Sequence, residues 1–162
     1  MAVTTQKSTQ VTNFDASPSV REETSDVHGR LRIAAFDHTQ SGAGDATSSA
    51  EVVRLPAGTV RLLGALSRVE HNWTTASATM DIGWDAYTDL DGDAVAADAD
   101  GIDNGVSVDT AGAMAVGSAL TADTKVFISQ GGVSIRLTST DTAIVSWRYC
   151  IWLLGLCTRL KL

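Results

Sequence analysis

Thr75-Ala76-Ser77-Ala78-Thr79-Met80-Asp81-Ile82-Gly83-Trp84 is the stretch that decides the fold. Thr75, Ser77, Thr79 and Asp81 fall on one face of an extended chain, and Ala76, Ala78, Met80, Ile82 and Trp84 on the other. This is a strict period of two; a helix would scatter both sets around its circumference. Downstream, Val133, Ile135 and Leu137 alternate with Ser134, Arg136 and Thr138 in the same way. Beyond them Ala143 to Leu153 reads as a long strand, with Val145, Trp147, Tyr149 and Ile151 on one face. Ile144, Cys150 and Trp152 lie on its other face, so it is expected to be buried on both sides.

Upstream, Arg30-Leu31-Arg32-Ile33-Ala34 and Glu51-Val52-Val53-Arg54-Leu55 read as further strands. Pro56-Ala57-Gly58 is a turn, and Thr59 to Val69 resumes a strand through Val60 and Leu62, which predicts a β-hairpin. Gly131-Gly132 reads as a turn between two strands. The pattern breaks between Asp89 and Leu120. There, alanine-rich Ala94 to Asp100 predicts one short helix, with Asp93 as N-cap and Gly101 and Gly105 as stops.

Met1 to His28 has no periodicity, and its apolar residues are isolated. It is either a flexible terminus or an extended arm that orders on a partner, with Val11, Phe14 and Val20 as candidate contacts. The expectation is therefore mostly all-β: an antiparallel β-sandwich or jelly-roll-like domain over 29–162, with an extended N-terminal arm over 1–28. One domain of this size buries a core without metals or disulfides.

The formal net charge is -7, so general nucleic-acid binding is not expected, although docking on a basic surface is compatible with it. Met1 to Asn13 carries no apolar core of a signal peptide. Ala143 to Leu156 is too short for a membrane span and is interrupted by Ser146 and Arg148. Cys150 and Cys157 lack the spacing of a disulfide scaffold or zinc site and read as free thiols.

Asp89-Leu90-Asp91-Gly92-Asp93 is the most chemistry-like cluster. Asp89, Asp91 and Asp93 alternate as at the start of a calcium loop. However, the sixth position is Ala94 rather than glycine, and the twelfth is Asp100 rather than glutamate. A solvated acidic turn is the simpler reading, and no cofactor is expected. His28, His38 and His71 have no neighbouring histidine at ligand spacing and read as surface or turn residues. No G-x-S-x-G elbow places a nucleophile. Gly42-Ala43-Gly44-Asp45 lacks the lysine and helix of a phosphate loop. Trp84 and Trp147 read as core, while Trp73 beside His71 and Asn72 reads as a possible exposed contact. No enzyme is expected.

Gly44-Asp45-Ala46-Thr47-Ser48, followed by Val53-Arg54-Leu55-Pro56-Ala57-Gly58-Thr59-Val60-Arg61-Leu62-Leu63, resembles a pattern in small virion proteins of tailed phages and prophages. The Ser77 to Trp84 strand with its Asp-Ile-Gly step, and the turn Tyr87-Thr88-Asp89-Leu90-Asp91-Gly92, continue the resemblance as far as Asp100. The resemblance implies a head decoration or cement protein on the outer capsid surface, bound to the major capsid protein and assembled as a homo-oligomer, a trimer. It carries over no catalytic residue. A head-fibre base, a tail component, and a carbohydrate- or ligand-binding β-sandwich are the alternatives.

Overall fold

The computed structural model describes residues 15–18, 33–36 and 47–140, and the backbone of 157–159. The chain divides into two units, Met1–Arg30 and Leu31–Leu162, and the strands below all belong to the second. In chain order they are β1 (Ser49–Leu55), β2 (Gly58–Leu63), β3 (Arg68–His71), β4 (Thr79–Trp84), β5 (Tyr87–Thr88) and β6 (Ala94–Val95). There follow β7 (Asp98–Ser107), β8 (Gly112–Ala115), β9 (Thr124–Ser129), β10 (Val133–Ser139) and β11 (Cys157–Arg159). Helical structure among the described residues is confined to short turns, including 3-10 turns at Gly64–Leu66 and Thr121–Asp123. The protein is all-β, and every paired strand is antiparallel. Among the described residues no helix is long and apolar enough to cross a membrane.

The largest sheet has the order β1-β10-β4-β7, and a second has the order β11-β2-β9. Two-stranded ribbons β3-β8 and β5-β6 complete the set. The alternation in the sequence is honoured at the centre. Val133, Ile135 and Leu137 of β10 are buried, as are Met80, Ile82 and Trp84 of β4. They join Leu55, Leu62, Ile102 and Phe127 in one core. Burial of each such side chain is worth about 1.5–3 kcal/mol, enough to fix which face of a strand turns inward.

The expected hairpin at Pro56–Gly58 does not form. β1 pairs with β10, and β2 with β9, so Pro56-Ala57 carries the chain from one sheet to the other. Gln130-Gly131-Gly132 makes the same crossing between β9 and β10. The result is one two-stranded ribbon bent at a corner: Leu55 faces Val133 before the bend and Gly58 faces Ser129 after it. Two glycines admit the bend. Gly58 and Gly132 both hold positive φ, at 104° and 91°, and a side chain on Gly132 would overlap the Leu55 carbonyl. Strands that change sheets at such a bend are a standard way to turn a β corner.

The expected short helix is also absent. Ala94–Val95 and Asp98–Ser107 are strands. Asp93 does not cap a helix; it closes a turn, and its carbonyl accepts the Asp89 N–H at 2.9 Å. The helical preference of alanine is only a few tenths of a kcal/mol per residue over most others. The ladder to β4 and burial of Ile102 outweigh it. Gly101 and Gly105, expected as helix stops, lie inside β7.

Three other boundaries move. The strand expected from Thr75 begins at Thr79, because Ser77 takes φ 61° in a turn and Ala76 is exposed. The strand expected over Thr59 to Val69 ends at Leu63, turns through Gly64–Leu66 and resumes as β3. Of Arg30 to Ala34, Ile33 and Ala34 are described, and neither is in a strand. The strand expected over Ala143 to Leu153 lies outside the described residues, as do Cys150, His28, His38 and Gly42 to Asp45.

Candidate interaction surface

The residues of the Asp-Ile-Gly step hold the edge of the main sheet together. β7 bulges twice against β4: five steps from Asp98 to Asp103 face the two steps from Trp84 to Ile82. Gly83 lies where this slack brings the backbones together, and an added Cβ would overlap the Asp98 carbonyl and Ala99. Gly101 lies against the Trp84 ring in the same way. The Trp84 indole Nε1–H donates to the Ala96 carbonyl at 3.2 Å. The second bulge turns on Gly105, at φ 59°, whose N–H donates to Asp81 Oδ1 at 2.7 Å.

The bulges also put Ile102 and Asp103 inside, although they are consecutive. The fully buried Asp103 carboxylate accepts the N–H of Gly117 at 2.9 Å and of Ser118 at 2.6 Å. It therefore ties β7 to the loop after β8. Gly117, at φ 106°, lies with its Cα against Gly64. A charged acceptor with two backbone donors offsets the desolvation of its burial. Sequence reasoning missed Asp103 because, in the sequence, it is one aspartate among many.

Asp89, Asp91 and Asp93 all lie in the tip of the β5-β6 hairpin. Asp89 Oδ1 accepts the N–H of Asp91 and of Asp93, each at 2.9 Å, and Gly92 takes φ 94°. The Asp89 carboxylate is thus a turn brace. Among the described residues no three metal-ligating side chains converge. Burial, and then the Asp89 charge, push the Tyr87 phenol up from its ordinary value.

His71 and Trp73 are both buried, contrary to the surface and exposed-contact expectations. Their rings meet edge to face at 6.4 Å. His71 lies in β3 opposite Gly112. Burial lowers its pKa from 6.5, with Asp109 pulling weakly the other way.

On the solvent face of the main sheet, Ser134 Oγ donates to Glu51 at 2.8 Å and Arg54 Nη2 at 2.7 Å. The Ser134 hydrogen bond, then that of Arg54, lowers the Glu51 pKa. Arg136 Nε donates to Asp85 at 2.6 Å, and that bond holds Arg136 charged. Lys125 sits 4.3 Å from the centre of the Trp84 ring, and Trp84 and Tyr87 meet Phe127 edge to face.

Among the described residues, a surface not consumed in this way lies on β2 and β9. β9 turns Phe127 inward and leaves Val126 38% and Ile128 43% exposed. Register places Val126 opposite Arg61, and Ile128 opposite Thr59. Leu66, just beyond β2, is 50% exposed. Apolar side chains grouped on a sheet face mark contact surfaces more often than scattered ones do. In the sequence, Val126-Phe127-Ile128 is apolar on both faces and so resembles a fully buried strand, which hides its open side.

The candidate contacts Val11, Phe14 and Val20 lie outside the described residues. No family model, curated protein or solved structure matches the chain.

Proposed function

We propose that this protein is a non-catalytic virion component, a cement or decoration protein that binds the outer surface of a tailed-phage head and stabilises contacts between major capsid protein subunits. One observation carries the reading: the residues of the phage-like motifs that the structure describes have building roles. Pro56 to Gly58 carry the chain around the sheet corner. Asp81, Gly83 and Trp84 lock β4 to β7. Asp89 and Gly92 shape the hairpin tip. A motif spent on architecture suits a module whose work is to be rigid and to adhere.

In this reading the sheets form a sandwich-like body, and the residues before Gly29 form the adhesive arm, with Val11, Phe14 and Val20 as its apolar anchors. Ordering such an arm on the capsid costs conformational entropy, which the anchors offset by burial. The protein works as a homo-oligomer, a trimer, on the capsid surface, without nucleic acid, membrane or cofactor. Gold-labelled antibody imaged on intact virions tests the assignment. Label on the heads is expected; label confined to the tail would overturn the cement reading.

A further inference from the structure

The charges of the described body are segregated. Between Val69 and Thr124 there is no lysine or arginine, and the aspartates crowd into 81–109. Arg61 and Arg68 are exposed and make no ion pair among the described residues, whereas Arg54 and Arg136 are both paired. The acidic region also carries one exposed apolar residue at its tip: Leu90, 40% exposed, in the turn of the β5-β6 hairpin. Asp91 lies in that turn and Asp93 at its end, both exposed, and their carboxylates have no hydrogen-bond partner among the described residues.

We infer that the β5-β6 hairpin tip of one copy docks on the β2-β9 face of a second copy. Leu90 meets Val126 and Ile128, and Asp91 and Asp93 meet Arg61. Each surface supplies what the other lacks among the described residues: an apolar tip for an apolar face, and carboxylates for a guanidinium. The tip is already held by the Asp89 turn hydrogen bonds, so little ordering is required on contact. A face-to-face contact of two β2-β9 surfaces about a two-fold axis at Arg61 would set Arg61 against its own copy, and like charges oppose that arrangement. The hairpin-to-face contact is heterologous, so repetition gives a closed ring where the rotation closes. It goes beyond the cement reading and does not depend on it.

Sedimentation velocity on the full chain, over a range of protein and salt concentrations, tests the inference. The wild type is expected to be oligomeric and to dissociate with rising salt. Leu90→Asp, Arg61→Glu, and Asp91→Lys with Asp93→Lys should each raise the dissociation constant about tenfold or more. At dilutions where every chain is monomeric, their melting midpoints should match the wild type, which separates lost docking from lost folding. A chain carrying Arg61→Glu together with both lysine substitutions should regain the oligomer. A monomeric wild type, an oligomer indifferent to these changes, or failure of the combined charge swap to restore it would each overturn the inference.

Discussion

The β4-β7 edge and the β2-β9 face differ in where their side chains are spent. At the β4-β7 edge, glycines admit close backbone contact, Asp103 and Asp81 hold bulges and loops, and Trp84 packs against Gly101 and Lys125. At the β2-β9 face, Val126, Ile128 and Arg61 hold nothing together within the described protein. The contrast teaches that unusual residues concentrate where the fold is built, while ordinary residues form the surface free to bind. A search guided by aspartate clusters or tryptophans alone lands on the first region.

The contrast predicts a ranking of effects. Gly83→Ala should be the most damaging, because the new methyl meets two backbone groups that cannot rotate away. A loss of about 3 kcal/mol or more is expected by urea unfolding, at the upper end of overpacking costs. Unchanged stability would mean that β4 and β7 do not approach at Gly83. Asp103→Asn comes next. Its amide nitrogen would face a backbone N–H of Gly117 or Ser118, and a loss of about 2 kcal/mol is expected. Asp89→Ala removes an acceptor for two turn amides and should cost about 1 kcal/mol; faster hydrogen exchange at Asp91 and Asp93 would report it.

His71 gives the ranking a pH axis. Its pKa in the folded protein lies below the ordinary 6.5, so the unfolded chain binds the proton first as pH falls. The stability it contributes is complete above pH 6.5 and is lost as pH drops from there through the folded pKa. A His71→Phe chain should show a flatter stability profile over that interval, and identical profiles would contradict the assignment. The smallest effect is expected on the open face. Val126→Thr and Ile128→Thr should shift unfolding of the dilute monomer by no more than ~0.5 kcal/mol each. A large loss there would show that the face is part of the core.

The sequence makes one kind of information plain and hides another. The alternation of β4 and β10 is legible because each strand has one wet and one dry face, and the all-β class follows from it. Non-local pairing is not legible. Pro56-Ala57-Gly58 has the composition of a hairpin turn, but whether β1 and β2 pair depends on β9 and β10, some seventy residues away. Ala94 to Asp100 has local helical preference, and the partner that overrides part of it is β4, earlier in the chain. Asp103 and the β2-β9 face were hidden for the same reason, since burial and exposure there are set by bulges and register. Asp89 was legible as a turn aspartate because its hydrogen bonds reach only two and four residues along the chain.

The central claim is that the body is a rigid framework and that adhesion to the head comes from the residues ahead of Gly29. Re-addition of purified protein to heads stripped of it, followed by heating, tests this most directly. The full chain should bind and raise the temperature at which the heads open. A chain lacking residues 1–26 should remain folded, fail to bind and leave that temperature unchanged. Absence of binding by the full chain, or undiminished binding by the shortened one, would contradict the account.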